Sequence, residues 1–428
     1  MECLEITGGK PLQGTLVAGG NKNAVLPMIA ACLLTEEPMT LTNVPGIRDV
    51  ETMLGLVREL GGVAERDPVA RTLTISSRGL TGGELSRAGC TALRTSILFA
   101  APLIHRLGKA VIWPPGGDVI GRRRLDVHFH GLETLGTRIS SDDRYRFEAP
   151  RRLRGADLFL MEASVTGTEQ ILMAAVLAEG TTVIRNAASE PHVQDLAKML
   201  NQMGARISGL GTNTFIVEGV ERLHGATHPV CADFAEVGSY LAMAAMTRGD
   251  VTVTGIDPDD YRMIAAVFAK LGVILEFSAD SVRIVPGQTL RVQRELGGGM
   301  TTIDDGPWPH FPTDLMSIMI VLATQTEGTV LFFEKMFESR MYFVDRLIGM
   351  GANAVICDPH RAVISGPSCL HGIDLSTPDI RAGIAMVGAA LCAKGKSRIH
   401  NVHLIDRGYE QIDERLRSLG CDVRRLTV

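Results

Sequence analysis

The sequence predicts an α/β protein of two domains, each made of three repeats of a β-α-β-α-β unit. Three observations lead to this prediction: the length and composition, a helix-ending signature that occurs six times, and a helix-to-strand signature that recurs in phase with it. The chain has 428 residues, of which 45% are hydrophobic, 21% charged and 5% aromatic. That length allows two to four domains, and the composition is too apolar for a disordered chain.

The first signature is a large apolar residue followed by glycine where an amphipathic helix is expected to end. Glycine takes the left-handed conformation that stops a helix, so each copy predicts the same turn from helix to strand. The copies are 68 to 79 residues apart, at Leu60-Gly61, Leu135-Gly136, Met203-Gly204, Leu271-Gly272, Met350-Gly351 and Leu419-Gly420.

The second signature is a helix of small apolar residues, followed by glycine and a strand rich in β-branched residues. It predicts helices at 171–179, 240–247, 317–326 and 382–393. Such helices can pack closely, which fits the 46 glycines and the low aromatic content. Together the two signatures predict three units before about residue 230 and three after it, with a cleft between the two domains.

Charge and cysteine content exclude several classes of protein. With 43 basic and 48 acidic residues the net charge is −5, so a general nucleic-acid binder is not predicted and local basic residues must hold any anionic ligand. The eight cysteines show neither CxxC nor paired-histidine spacing, which argues against zinc and redox sites. No apolar run reaches the roughly 18 residues of a membrane span, and the start of the chain lacks a signal-like apolar segment, so a cytoplasmic protein is predicted.

Two segments carry basic residues in unusual settings. The glycine-rich loop 114–124 combines Asp118 with Arg122, Arg123 and Arg124, and adjacent guanidiniums favour a bound anion. A solvated loop is the alternative. Lys22, one of only eight lysines, lies where an apolar helix begins and where exposed N–H groups favour anions. A solvated lysine beside a capped helix is the alternative there.

Two further helix starts carry charged residues. Residues 308–315 form a proline-rich entry into a helix, where Thr313 or Asp314 can serve as an ordinary N-cap. Arg381 follows Pro378-Asp379 in the first turn of a small-residue helix. A cation there opposes the helix dipole, so we expect an anion close to Arg381.

Six motifs together resemble those of the enolpyruvyl transferases, in the same order and over essentially the whole chain. They are GNKNA with Leu26-Pro27, the loop from Pro115 to Arg123, FPTD at 311–314, FESR at 337–340, DIRA at 379–382 and IDRGYEQI at 405–412. The resemblance implies an inside-out α/β barrel fold. It places the nucleotide-sugar side and the catalytic loop 114–124 in a first domain, 22–230, and Asp314 and Arg381 in a second domain, 1–21 plus 231–428.

The resemblance also implies an activity. Enolpyruvyl transferases of the cell-wall branch move the enolpyruvyl group of phosphoenolpyruvate to the 3′-hydroxyl of UDP-N-acetylglucosamine and release phosphate, the first committed step of peptidoglycan synthesis, with no metal or organic cofactor. Phosphoenolpyruvate carries a carboxylate and a phosphate, so several cations must converge on it. The residues that match this clamp are Lys22, Asn23, Arg123, Arg340 and Arg381. Asp314 matches the carboxylate beside the acceptor hydroxyl and is expected to act as the general base.

Asp118 departs from the usual pattern of the family, which carries cysteine at this catalytic position. That thiol is placed for proton donation or product release, and the antibiotic fosfomycin alkylates it. Some members carry Asp there, so we expect an active enzyme. We also expect intrinsic fosfomycin resistance, because a carboxylate lacks the soft nucleophilicity of a thiolate.

On the acceptor side, the resemblance assigns a larger set of residues to nucleotide-sugar binding: Asn23, Arg94, Arg123, Arg124, Leu125, Asp126, Val127, His128, Ser164, Val165, Thr166, Gly167, Thr313, Asp314, Met336 and Phe337. It places Asp49, Glu190 and Asp233 just behind the site. Glu162 and Phe234 stand where some members have Lys and Arg. Two alternatives therefore stay open: a paralogue acting on another uridine nucleotide such as UMP, and a non-catalytic nucleotide-sugar-binding protein. Neither nucleic acid nor membrane is an expected partner.

Overall fold

The structure is a computed structural model that describes residues 2–118, 120–121, 123–149 and 152–427. The predicted α/β fold class is confirmed. The helices are α1 (Lys22–Ala31), α2 (Arg48–Glu59), α3 (Arg87–Ala92), α4 (Ala100–Leu107), α5 (Asp126–Thr134), α6 (Val165–Ala175), α7 (Pro191–Gln202), α8 (Phe234–Met246), α9 (Arg262–Lys270), α10 (Met316–Thr324), α11 (Val344–Gly349), α12 (Ile380–Cys392), α13 (Val402–Ile405) and α14 (Ile412–Ser418).

The strands are short, at two to six residues. They are β1 (Glu2–Thr7), β2 (Gln13–Val17), β3 (Met39–Thr42), β4 (Val63–Asp67), β5 (Thr72–Ser76), β6 (Lys109–Ile112), β7 (Arg138–Ser141), β8 (Tyr145–Glu148), β9 (Asp157–Phe159), β10 (Thr181–Arg185), β11 (Arg206–Ser208), β12 (Thr214–Glu218), β13 (Thr227–Pro229), β14 (Asp250–Thr254), β15 (Glu276–Phe277), β16 (Ser281–Ile284), β17 (Thr302–Asp304), β18 (Gly328–Phe333), β19 (Asn353–Asp358), β20 (Arg361–Gly366), β21 (Asp374–Ser376), β22 (Lys396–His400) and β23 (Asp422–Thr427).

The chain divides into two compact units. Unit 1 comprises Met1–Gly19, Asp118–Arg122 and Ala232–Val428, and unit 2 comprises Gly20–Gly117 and Arg123–Cys231. Among the described residues each unit holds three sheets. In unit 1 the strand orders are β21-β22-β1-β23, β15-β16-β14-β2 and β17-β18-β20-β19. In unit 2 they are β13-β3-β5-β4, β6-β8-β7 and β11-β12-β10-β9.

The first seventeen residues supply strands to two sheets of unit 1. β1 lies between β22 and β23 and is antiparallel to both of them. β2 pairs in parallel with β14 at the edge of a second sheet. The start of the chain is therefore an integral part of the unit that is otherwise built from its second half.

Buried helices lie at the centre of each unit. In unit 1, α8 and α10 are buried along their whole length and α12 at all but its last residue, and the three helices pack on one another. In unit 2, α6 packs against α1 and α4. A helix that is apolar all round must be buried on every side, so the sheets take the outer position. Strands such as β14 and β5 accordingly bury alternate residues only.

The second set of helices ends at the six repeated glycines. α2, α5, α7, α9, α11 and α14 each run into the signature of a large apolar residue and glycine. Every one of these glycines has a positive φ, between 76° and 107°: Gly61, Gly136, Gly204, Gly272, Gly351 and Gly420. The predicted left-handed turns are confirmed, and they set the period of the fold.

The four predicted small-residue helices exist, but all of them start earlier than predicted, two of them by six residues. α6 begins at Val165 rather than at 171, and α8 at Phe234 rather than at 240. Their starts are set by side-chain caps, because Ser164 accepts a hydrogen bond from the Gly167 N–H and Asp233 accepts from two N–H groups. In the described part of the chain, no helix has the length and apolar character that crossing a bilayer demands.

Candidate active site

In unit 1, Asp314 lies between two buried arginines. Its Oδ1 is 2.7 Å from Nη2 of Arg340, and its Oδ2 is 2.6 Å from Nη2 of Arg381. Asp314 stands in a short 3-10 turn, Thr313–Leu315, whose first N–H groups receive no side-chain cap. The ordinary capping role that the sequence allowed is therefore not the one that Asp314 fills. Each carboxylate oxygen instead accepts a charge-assisted hydrogen bond, which holds the group in one orientation.

Arg381 is placed at the start of α12 by the cap of that helix. The Asp379 side chain accepts hydrogen bonds from the N–H groups of Arg381 and Ala382. Burial works against the charge of Arg381, but Asp314, Tyr409 and Asp233 outweigh it, and the pKa of the guanidinium is raised above its ordinary value. The anion expected near Arg381 from the sequence is therefore present, and it belongs to the protein.

Arg381 is held in place by a chain of two hydroxyl groups, those of Tyr409 and Ser239. Its Nη1 donates to the hydroxyl oxygen of Tyr409 at 3.1 Å, and its guanidinium lies 5.6 Å from the centre of the Tyr409 ring. The Tyr409 hydroxyl is 2.9 Å from Oγ of Ser239 on α8. Both side chains are fully buried, so this chain of contacts fixes the guanidinium plane.

Arg340 uses only part of its hydrogen-bonding capacity. It lies in the 3-10 turn Glu338–Met341, is 6% exposed, and its guanidinium is 5.6 Å from the centre of the Phe337 ring. Within the described residues, its Nε and Nη1 have no hydrogen-bond partner although both are buried. Buried N–H groups of a cation are costly to leave unsatisfied, so Arg340 can serve an anionic ligand in addition to Asp314.

The tip of the glycine-rich loop belongs to unit 1. Oδ1 of Asp118 lies 2.5 Å from Nη1 of Arg407, and both side chains are more than four-fifths buried. The Ser339 N–H donates to the Ile120 carbonyl at 3.2 Å, which joins the loop to the turn that carries Arg340. Two residues of the predicted loop, Val119 and Arg122, lie outside the described residues.

In unit 2, Lys22 is paired and mostly buried. Its Nζ is 2.7 Å from Oδ2 of Asp49, and the two side chains are 11% and 4% exposed. Lys22 opens α1 next to the cap Asn21, and Asp49 lies in the first turn of α2. A lysine at a helix start opposes the dipole, and Asp49 compensates for that. Asn23, the next predicted ligand, is partly exposed on the same turn.

Arginines gather where the glycine-rich loop returns to unit 2. Nη2 of Arg94 donates to the Arg124 carbonyl at 3.0 Å, and Gly117 packs against the Arg94 backbone. Burial and, to a smaller extent, the charge of Arg123 together lower the pKa of Arg94 to about 10, although Glu162 opposes the shift. The exposed Arg124 pairs with Asp126 at 3.0 Å. The region therefore concentrates positive charge that an anion would stabilise.

The two predicted nucleotide segments lie at the starts of neighbouring helices. α5 packs on α6, and Val127 lies against Gly167, whose Cα leaves no room for a side chain. Nε2 of His128 is 3.0 Å from Oγ1 of Thr166. Burial, followed by the charge of Arg94, lowers the pKa of His128 to about 3, so the ring is neutral. The structure thus brings the segments 125–128 and 164–167 together.

The three residues predicted to lie behind the site occupy different positions. Asp49 pairs with Lys22 in unit 2. Asp233 caps α8 in unit 1 and contributes to the charge environment of Arg381. Glu190 precedes α7 in unit 2. Burial raises the pKa of Glu169 well above its ordinary value, and the charge of Glu190 adds to this shift. Phe234, one of the two departures from the family pattern, packs on Trp308 with ring centroids 5.7 Å apart.

Thr313, Met336 and Phe337 are joined by a residue that sequence reasoning missed. The Thr313 hydroxyl lies 3.0 and 2.9 Å from the two oxygens of Glu334, and the N–H groups of Met336 and Phe337 donate to the same carboxyl. Arg407 and Tyr409 were also missed, although they lie in a quoted motif. The available signal was their place in the motif IDRGYEQI at 405–412.

Metal ligands do not gather in the part of the chain that the structure describes: it contains no group of three His, Cys, Asp or Glu side chains arranged to hold an ion. None of the described cysteines forms a disulfide, and among them Cys357 and Cys369 are exposed. The two units instead provide cations in fixed positions, the oriented carboxylate of Asp314 and the neighbouring starts of helices α5 and α6.

Comparison with known proteins gives one family. The sequence profile described as EPSP synthase (3-phosphoshikimate 1-carboxyvinyltransferase) matches residues 6–416. A protein of Treponema denticola named UDP-N-acetylglucosamine 1-carboxyvinyltransferase is 53% identical over 98% of each chain. One of the same name from Treponema pallidum is 54% identical over 99% of each chain. The crystal structure of the enolpyruvyl transferase NikO from Streptomyces tendae superposes with a TM-score of 0.88 at 22% identity, covering 100% of this chain and 99% of that one.

Proposed function

The chain belongs to the EPSP synthase family of enolpyruvyl transferases, and from this premise we propose that it transfers the enolpyruvyl group of phosphoenolpyruvate to the 3′-hydroxyl of UDP-N-acetylglucosamine. Phosphate is the second product, and the product sugar enters peptidoglycan synthesis. The full-length relatives named for this reaction support the choice of acceptor. A reaction between two soluble, charged metabolites also fits a cytoplasmic location.

The observation that carries the chemistry is the Asp314 carboxylate between Arg340 and Arg381. The reaction requires a base for the acceptor hydroxyl and cations for the anionic donor. A substrate anion can bind Arg340 through its Nε and Nη1, whereas at Arg381 it competes with Asp314 for Nη2. Such binding would release an Asp314 oxygen to accept the hydroxyl proton as the new C–O bond forms.

We assign phosphoenolpyruvate binding to five residues, which are described unit by unit. Unit 1 supplies Arg381 and Arg340, whose buried Nε and Nη1 have spare donor capacity among the described residues. Unit 2 supplies Lys22, Asn23 and Arg123. Guanidinium forks match carboxylate and phosphate oxygens in pairs, while the Lys22 ammonium acts as a point charge. Asp118, paired with Arg407, takes the family's catalytic loop position and serves proton donation or product release.

We assign the nucleotide part of the acceptor to residues of unit 2. Arg94, Arg123 and Arg124 face the diphosphate, and the helix starts at 125–128 and 164–167 line the uridine pocket, since exposed N–H groups favour phosphate oxygens. From unit 1, Thr313, Met336 and Phe337 contact the sugar next to Asp314. Asp49, Glu190 and Asp233 orient the residues in front of them.

A second acceptor is favoured by one observation, the carboxylate of Glu162 in the electrostatic field of Arg94. An acid at that position repels a diphosphate, so a paralogue that uses a smaller uridine nucleotide such as UMP is the second candidate. The third, a non-catalytic nucleotide-sugar-binding protein, is disfavoured by the presence of Lys22, Arg123, Asp314 and Arg381 together.

One assay decides among these functions. Phosphate release from phosphoenolpyruvate is measured with UDP-N-acetylglucosamine, with UMP and with shikimate 3-phosphate. We expect release with the first acceptor alone. Release only with UMP selects the paralogue, and no release with any acceptor, together with retained binding of UDP-N-acetylglucosamine in calorimetry, selects the non-catalytic binding protein.

A further inference from the structure

Glu334 is a fully buried acid at the end of β18 that no step of the proposed reaction uses. Its Oε1 accepts hydrogen bonds from the Thr313 hydroxyl at 3.0 Å, from the Met336 N–H at 3.2 Å and from the Phe337 N–H at 3.0 Å. One carboxyl thus ties the residue before Asp314 to the segment that leads into Arg340. The two partners of the Asp314–Arg340 ion pair are joined a second time through Glu334.

A second acid, Asp305, lies against Glu334. Its Oδ1 accepts the Lys335 N–H, while its buried Oδ2 receives no hydrogen bond from any N–H or hydroxyl donor in the described residues. Burial, followed by Asp305, raises the pKa of Glu334. The raised pKa, about 9, favours the neutral form of Glu334 at neutral pH. A neutral Glu334 also leaves the charge of Arg340 available to Asp314.

We propose that Glu334 is a positioning residue for the proposed reaction: by holding Thr313 and the Met336–Phe337 backbone together, it sets the geometry of the Asp314–Arg340 pair. It acts through these neighbours and does not itself touch substrate. The inference rests on the proposed function for its kinetic consequence, while its structural consequence is independent of that function.

The charged groups around Glu334 come from three elements. Asp305 follows β17, Arg340 lies in the turn after residue 337, and His360 precedes β20 and contacts the Glu334 backbone through Nδ1 at 2.7 Å. The Lys335 ammonium group forms an ion pair with Asp304. Raising the pH through the pKa of Glu334 ionises its carboxyl group, and the new negative charge would draw Arg340 away from Asp314.

The test compares Glu334→Gln, Glu334→Leu and Phe332→Leu. Glutamine is neutral, keeps an acceptor oxygen for Thr313 and the backbone, and can donate to Asp305. Leucine has a similar size and offers none of these bonds. Phe332→Leu alters a fully buried apolar residue of the same strand and serves as the control for simple loss of packing. Crystal structures, thermal unfolding, kcat, KM and the pH dependence of kcat are measured for each.

We expect Glu334→Gln to keep the Asp314–Arg340 distance of 2.7 Å and to keep kcat within about twofold. Glu334→Leu should lose this contact, and kcat should fall by about ten- to a hundredfold, more than KM for phosphoenolpyruvate rises. Wild type should lose activity at alkaline pH where Glu334→Gln does not. If Glu334→Leu does not fold, the crystal structure of Thr313→Val without substrate, which lacks the hydroxyl that bonds Glu334, should show the loss of the Asp314–Arg340 contact.

The inference is overturned if the Asp314–Arg340 contact survives in Glu334→Leu, or if Phe332→Leu with a matched melting temperature loses as much kcat. It is also overturned if glutamine fails to restore what leucine loses. Absence of phosphate release by wild type would instead refute the proposed function, and the crystal structures would still decide the role of Glu334.

Discussion

Two arginines, the buried Arg381 in unit 1 and the half-buried Arg94 in unit 2, stand in opposite electrostatic surroundings. Arg381 in unit 1 contacts the Asp314 carboxylate and the Tyr409 hydroxyl, and its pKa is raised because these anionic or polar neighbours outweigh burial. Arg94 in unit 2 donates to a backbone carbonyl, and burial together with the charge of Arg123 lowers its pKa to about 10. One charge is compensated by the protein, and the other is opposed by its surroundings.

The difference indicates a division of labour. A compensated ion pair is rigid, which suits the accurate placement of a base and of a donor clamp. A cation beside a like charge gains more from an incoming anion, which suits the binding of a phosphorylated acceptor. Changes around Asp314 should therefore act mainly on turnover, and changes around Arg94 mainly on acceptor binding.

The largest effect is expected at Asp118, where unit 1 pairs a carboxylate with Arg407. Wild type should resist fosfomycin, whereas Asp118→Cys should be inactivated by it, because an adjacent guanidinium promotes the reactive thiolate. Mass spectrometry after incubation checks for the adduct. The exposed Cys357 and Cys369 are internal controls and should stay unmodified. An adduct on Asp118 of wild type would contradict the expectation.

The next effect concerns the compensated pair itself. Asp314→Asn keeps the shape of the side chain but removes the base and the counter-charge of Arg340 and Arg381, so kcat should fall by about 10²–10⁴-fold. The dissociation constant for UDP-N-acetylglucosamine should change little. Asp304→Asn is the matched control, since Asp304 is similarly exposed and ion-paired but lies with Lys335 and His310. Surviving turnover in Asp314→Asn would show that the base is another group.

A smaller effect is expected in unit 2. Arg94→Ala should raise KM for UDP-N-acetylglucosamine by about tenfold or more with little change in kcat, because a charged hydrogen bond contributes about 1.5–3 kcal/mol. Arg185→Ala removes an exposed ion pair with Asp157 in the same unit and should change neither constant. A loss of kcat with unchanged KM in Arg94→Ala would break the proposed division of labour.

The smallest effect is on stability and involves Glu334. Burial and Asp305 raise its folded pKa above its ordinary value near 4.5, so the folded state binds the proton more tightly. That contribution is fully present below the unfolded pKa and is lost as pH rises through the folded pKa. Melting temperatures of wild type and Glu334→Gln should therefore converge near about pH 5 and separate toward alkaline pH, with the variant more stable. A constant difference would show that Glu334 does not titrate in this range.

Local signals predicted much of the fold. Six glycines after large apolar residues were expected to end helices in the left-handed conformation, and all six have positive φ. Helices of small apolar residues were expected to be buried, and α8, α10 and α12 are. Helix starts were less accurate, because α6 and α8 begin at caps that lie outside the apolar run.

The sequence predicted only part of the candidate site. The dipole of α12 required an anion near Arg381, and the structure supplies Asp314, 67 residues away in the sequence. Nothing local identified Glu334, whose partners are Thr313, 21 residues before it, and Asp305. Arg407 reaches Asp118 across 289 residues of chain. Such pairs depend on which strands and helices become neighbours.

The sequence by itself determined the repeating unit, the burial of the small-residue helices and the family to which the chain belongs, because glycine conformation, hydrophobic periodicity and ordered motifs are local properties. Only the tertiary structure decided which charges are compensated. Arg381 lies against a carboxylate, whereas Arg94 is repelled by the charge of Arg123, and the distances between residues far apart in the chain decide this difference. Electrostatic energy depends on those distances and on burial.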